Sequence, residues 1–230
     1  MITKPKRNGR RMRIVTRRAR PPIRGRLIVV AGQCSKVGKT SLAVDLIKAF
    51  PKCDWTAVKM TPYTESGCPV NGKKCRCARG EHTFAIQTEK SRRGTSDTSR
   101  FLSAGARKAI WVQTKAGCFE DALKPLVSAI ADAKDVIIES NAVMKYWQPD
   151  LIFLVLDPRI ADFKASAHDV LRFADAFVFR SPYPGGSSRN RPAIPKSGRP
   201  KFLQAPGDAL PLDLHEFVRH RFRTKRHLTG

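Results

Sequence analysis

The segment LIVVAGQCSKVGKTSLAVDLI, Leu27 to Ile47, restricts the fold of this chain more than any other. Leu27–Ala31 is an unbroken apolar run and predicts a buried strand ending at Gly32. From Thr40 to Phe50, the apolar residues Leu42, Ala43, Leu46, Ile47 and Phe50 recur at helical spacing. Between strand and helix lies Gly38-Lys39-Thr40, the closing half of a phosphate-binding loop, G-x-x-x-x-G-K-[ST]. That pattern places its first glycine at position 33, where this chain has Gln33, with the glycine at 32. The essentials are still present: a strand that delivers the chain, a glycine loop, and a helix whose positive end faces the loop. The expected nucleotide contacts are Gly32, Ser35, Val37, Gly38, Lys39, Thr40 and Ser41. Lys39 would reach the β- and γ-phosphates of ATP or GTP, and the Thr40 hydroxyl would bind Mg²⁺. Cys34 stands near the helix N-terminus, which favours a thiolate open to redox chemistry, but the reading preferred for it is a small loop residue.

Further along, apolar runs and helix-like stretches alternate. Strands are expected at Trp55–Met60, Thr83–Gln87, Ala109–Gln113, Asp135–Glu139, Leu151–Leu156 and Ala176–Phe179. Helices are expected at Ser96–Ala106, Phe119–Ala133 and Ala167–Ala174. Strands that are apolar on both faces and separated by helices predict an α/β domain: three layers, with a mainly parallel sheet flanked by helices. The organisation reads as a basic, disordered tail over 1–25, the domain over 26–180 with a Cys-rich insertion at 66–82, a Pro/Gly/Ser-rich linker at 181–209, and a basic helix or tail at 210–230. Leu214, Phe217 and Val218 give that last helix an apolar face with which to dock.

Glu139 ends a strand, and a carboxylate at the C-terminal end of a parallel strand faces the crevice where α/β ligands bind. It is a candidate Mg²⁺ ligand. Asp97, in TSDTSRF, is either a second Mg²⁺ partner or a helix cap, and Arg100 either meets phosphate or is solvated.

Gly32–Thr40 has five residues between its glycines, a spacing that resembles the G-T-D-T-x-V-G-K-T loop of dethiobiotin synthetase and its relatives. In AVKMTPYTESG, Lys59 matches that family's strand-ending lysine, with the loop proline later at Pro62. In DVIIESN, Glu139 matches the glutamate of the family's E-G-A-G-G, without the glycines. The chain also looks like the molybdopterin-guanine dinucleotide accessory GTPases, whose corresponding strand ends V-E-G. Both belong to the signal-recognition-particle/MinD/BioD class of P-loop NTPases. The Cys-containing loop, with SRFLSAGAR and IIESN, resembles a bacterial family with such a loop. The resemblance covers Leu27 to roughly Phe179. It implies Lys39 and Lys59 neutralising phosphate charge beside Glu139, phosphoryl transfer to water or a carboxylate-type acceptor, and a homodimer. ATP and GTP are not distinguished, because RSPYP stands where an N-K-x-D motif would follow the last strand.

Cys68, Cys75, Cys77 and His82 fall within fifteen residues, enough for a tetrahedral Zn²⁺ site. An Fe–S cluster, a redox dithiol at Cys75 and Cys77, or unligated thiols are the alternatives. Such a loop also fits a nucleotide-dependent chaperone or switch protein that handles a metal or cofactor.

The net charge is +25, with +11 in residues 1–26 and +7 in residues 181–230. Basic ends of this kind either attract polyanions such as RNA or ribosomes, or are solvated tails. No aromatic residue interleaves the N-terminal charges to stack on bases. With no apolar run of membrane-spanning length and no secretion signal, a cytoplasmic location is expected, away from membranes.

Overall fold

The computed structural model describes residues 18–63, 82–182 and 198–224. These build one eight-stranded sheet in the order β3-β4-β2-β5-β1-β6-β7-β8, with every neighbouring pair parallel except β3 with β4. The strands are β1 (Leu27–Gly32), β2 (Trp55–Tyr63), β3 (Phe84–Thr88), β4 (Lys108–Lys115), β5 (Asp135–Glu139), β6 (Leu151–Leu156), β7 (Ala176–Phe179) and β8 (Lys201–Leu203). The helices are α1 (Lys39–Ala49), α2 (Asp97–Ser103), α3 (Leu123–Ala129), α4 (Ala165–Leu171) and α5 (Leu212–Thr224).

Each face of the sheet is sealed by its own apolar layer, which explains why β1 and β6 are apolar throughout rather than alternating. On one face, Ile28 and Val30 pack with Leu42, Leu46 and Ile47 of α1, Phe101 of α2, and Leu214 and Val218 of α5. On the other, Leu27 and Val29 pack with Leu126 of α3 and Val170 of α4. All six residues of β1 are buried, as are those of β6. Full burial of an aliphatic or aromatic side chain of this size stabilises by about 1.5–3 kcal/mol, so the three-layer α/β architecture follows from the pattern.

Three local details differ from the sequence reading. The stretch expected as one helix, Phe119–Ala133, is a 3₁₀ turn at Phe119–Ala122 followed by the short α3. Pro125 has no N–H to offer the carbonyl four residues back, so the α-helix starts with proline in its first turn. The N-cap of α2 is Ser96, whose side chain accepts the Ser99 N–H at 3.0 Å, so Asp97 is not the cap. Finally, Lys201–Leu203, inside the stretch read as linker, pairs in parallel with β7. Only Phe202 of its three residues is buried, too little for periodicity to reveal.

β1 lies between β5 and β6, and the chain leaves it for α1 and β2 on one side and reaches β6 on the other. The crevice at the carboxyl ends of the strands therefore opens beside β1, where open α/β sheets take ligands.

Candidate functional site

The crevice is a cleft of about 730 Å³. Its wall includes Gly32, Ser35, Gly38, Lys39, Thr40, Ser41, Lys59, Asp97 and Glu139, nine of the ten residues singled out for nucleotide and Mg²⁺. The tenth, Val37, turns its side chain into the core beneath the loop.

The loop is shaped by two glycines. Gly38 has φ +102°, a left-handed conformation that suits glycine. A Cβ on Gly32 would stand 2.6 Å from Lys39 Cγ and 2.7 Å from Val37 Cγ1, so the lysine stem lies across its backbone. Helix α1 then begins at Lys39 with no side-chain cap and no acid in its first turn. Its leading N–H groups have no intrahelical acceptor, and the positive end of the helix is open to an anion. Lys39 Nζ donates to the Cys34 carbonyl at 2.7 Å, and burial lowers its pKa below the ordinary 10.5.

Gln33 accounts for the displaced glycine. Its N–H continues the sheet by donating to the Val155 carbonyl at 2.9 Å. Its buried side-chain amide donates to the Ile160 carbonyl at 2.6 Å and the Asp162 carbonyl at 3.0 Å, and accepts the Asp157 N–H at 3.0 Å. The extra residue is thus a strut to the segment after β6. The Lys164 N–H donates to the Gln33 carbonyl at 3.0 Å, and Lys164 Nζ donates to Ser35 Oγ at 2.8 Å.

Thr40, Lys59, Asp97 and Glu139 come from α1, β2, α2 and β5 and meet at one point. Thr40 Oγ1 donates to Glu139 Oε2 at 2.6 Å. Lys59 Nζ lies 2.8 Å from Glu139 Oε1, 2.5 Å from Asp97 Oδ2 and 3.4 Å from Thr40 Oγ1. Burial works against the lysine charge, but Glu139 and Asp97 outweigh it and its pKa is raised. Asp97 is held below the ordinary carboxylate value: burial opposes this, and the lysine beside it prevails. Carboxylate and hydroxyl oxygens converging on one cation are the donor type Mg²⁺ takes, so these residues fit that ion. Arg100 reaches Asp97 Oδ1 at 3.5 Å and Ser41 Oγ at 3.4 Å, which ties α2 to the loop.

Sequence reasoning missed two supports. Asn141 brackets the Gly32 peptide, accepting its N–H at Oδ1 and donating from Nδ2 to its carbonyl, both at 2.9 Å. The signal was its place two residues after Glu139. Arg180, at the end of β7, packs over Gly38 and donates to Gln204 Oε1 at 2.7 Å, and Gln204 Nε2 donates to Asp45 Oδ2 at 2.8 Å. Nothing in the local pattern marks that relay.

Cys34 is buried, and burial followed by Asp162 pushes its thiol pKa up, so the thiolate expected near the helix end is disfavoured. Cys68, Cys75 and Cys77 lie outside the described residues, and His82 stands just ahead of β3. Among the described residues no group of three or more His, Cys, Asp or Glu could hold a metal, and no helix is long and apolar enough to cross a membrane.

No family model and no curated protein matches the chain. Among solved structures it is similar to an "apo" form of LpxK from Aquifex aeolicus in complex with ATP, at 17% identity and TM-score 0.46, over 80% of this chain and 55% of that one. It is similar to HypB from Helicobacter pylori in complex with nickel, at 15% identity and TM-score 0.46, over 88% and 89% of the two chains. It is also similar to the signal recognition particle 54 kDa protein from Aeropyrum pernix K1 in complex with GDP, at 13% identity and TM-score 0.41, over 90% and 48%. The chain thus spans about half the length of the first and third of these.

Proposed function

We propose that this chain is a Mg²⁺-dependent P-loop nucleoside triphosphatase that passes the γ-phosphoryl group of ATP or GTP to water or to a small carboxylate-type acceptor. The observation that carries the reading is the meeting of Thr40, Lys59, Asp97 and Glu139 at the uncapped start of α1.

The leading N–H groups of α1 and its loop hold the β- and γ-phosphates, and Lys39 exchanges its bond to the Cys34 carbonyl for one to phosphate. Thr40 and Glu139, with Asp97 alongside, would hold Mg²⁺, which would supply Lewis-acid neutralisation of phosphate oxygens. An acceptor oxygen attacks the γ-phosphorus in line. The bond to the bridging oxygen breaks, and its electron pair leaves with the nucleoside diphosphate. Lys39 and Lys59 offset the charge that gathers on the transferred group. A carboxylate acceptor brings no proton to remove.

The remaining lining of the cleft supports an anionic acceptor. Its wall also includes Lys115 and Lys145, and Phe119 and Tyr146, whose rings stack at 5.3 Å. Cationic side chains around an aromatic wall suit a small organic acid.

Calorimetric titration with ATP and GTP analogues, with and without Mg²⁺, tests the reading beside Lys39→Ala. Mg²⁺-dependent binding of one nucleotide, lost in the variant, is expected. Absence of binding by either nucleotide overturns it.

A further inference from the structure

The ammonium of Lys59 stands where the oxygens of Glu139, Asp97 and Thr40 converge, at 2.8, 2.5 and 3.4 Å. Glu139 is 4% exposed at its side chain, so its charge needs a partner at contact distance. Of the nearby cations, Lys39 donates to the Cys34 carbonyl, Arg100 reaches only Asp97 Oδ1 at 3.5 Å, and Lys164 donates to Ser35 Oγ. Lys59 is the cation at contact distance from both carboxylates.

A dication placed on the same oxygens would meet that ammonium at contact distance, and two positive charges so close on one set of acceptors repel strongly. The lysine can carry its charge elsewhere in the cleft. Its flexible stem enters the same cleft as Lys39, where the γ-phosphate of a bound nucleotide would add negative charge. Metal entry and lysine departure are then one exchange, and nucleotide drives it.

Resting on the nucleotide reading above, we infer that Lys59 is a resident cation that excludes free divalent metal and yields its place only to a metal–nucleotide complex. The coupling is reciprocal: nucleotide raises metal affinity by the factor by which metal raises nucleotide affinity. Lys59 is thus a gatekeeper for the order of binding as well as a group near the phosphates. A chain built this way does not load with free Mg²⁺ between turnovers.

The test uses Mn²⁺ as the probe, followed by electron paramagnetic resonance of the free ion, on the full chain. Wild-type protein is expected to bind no Mn²⁺ alone and one Mn²⁺ with a non-hydrolysable nucleotide. Lys59→Met should bind Mn²⁺ without nucleotide, on the order of tenfold or more tighter than wild type. Wild-type protein that binds Mn²⁺ alone as tightly as Lys59→Met overturns the inference and leaves the nucleotide reading standing. Failure of wild type to bind Mn²⁺–nucleotide overturns both. If Lys59→Met does not fold, wild-type protein still decides by amine acylation read by mass spectrometry. Lys59 labelling should be unchanged by Mn²⁺ alone and altered by Mn²⁺ with nucleotide; a change with Mn²⁺ alone overturns the inference.

Discussion

A side chain on Gly38 would collide with Arg180: a Cβ there would stand 2.8 Å from Arg180 Nε. Arg180 cannot step aside cheaply, because it is buried and bonded to Gln204 at 2.7 Å. Gly38→Ala also meets left-handed strain of about 1–2 kcal/mol at φ +102°. The variant should melt at a lower temperature and lose nucleotide affinity. Calorimetry that finds both unchanged would contradict this account of the loop.

Gln33→Gly would make the loop look more like the common motif, yet it should weaken the protein. It strips three hydrogen bonds from the segment after β6 and leaves the buried Asp157 N–H without its acceptor. An unsatisfied buried group of this kind costs about 1–3 kcal/mol. Urea unfolding should show a loss of that size.

Glu139→Gln keeps an oxygen for the Thr40 hydroxyl but removes the charge that faces Lys59. Nucleotide titrations of this variant should lose most of their dependence on Mg²⁺, and turnover should fall on the order of 100-fold. A variant with unaltered Mg²⁺ dependence would remove Glu139 from the metal.

Asp135→Ala serves as a control at the opposite end of the sheet. Asp135 is buried and paired with Arg26 at 2.5 Å, and it also accepts the Arg26 N–H at 2.7 Å. Leaving Arg26 half-buried without its partner should cost about 3 kcal/mol of stability. Nucleotide affinity, measured below the melting transition, should not change.

Acid should loosen the segment after β6. Arg159 above all, with Ser181 adding to it, holds the Asp157 carboxyl down to about 2, against an ordinary 3.8. A depressed carboxylate contributes stability that is fully present above the ordinary value and is lost as pH falls through the folded one. Melting temperature followed from pH 4 towards pH 2 should therefore fall more steeply in wild type than in Asp157→Asn.

The fold was legible because its central strands carry their signal alone: β1 and β6 are apolar on both faces, as is the Val136–Ile138 middle of β5, which marks a covered sheet. That Lys39, Thr40 and Glu139 would line one cleft was legible because their signals are local, a loop motif and a strand-end acid. The partners reached across distance were not. Asn141 and Gly32 are 109 residues apart, and Gln204 and Asp45 are 159. No pattern along the chain announces such contacts, since each depends on the strand order. Pro125 shows the reverse error, where apolar spacing hid a residue without an N–H.

β8 changes what can be removed from this protein. Composition changes after Arg180, and that residue invites a stop codon. Cutting there would take Phe202, Leu214 and Val218 out of the layer that covers Ile28 and Val30. It would leave β7 as a bare edge and release Arg180 from Gln204, above the glycine that shapes the loop before α1. The smallest unit that folds and keeps its loop in shape therefore reaches at least to α5, and anyone trimming the chain for expression should count from there.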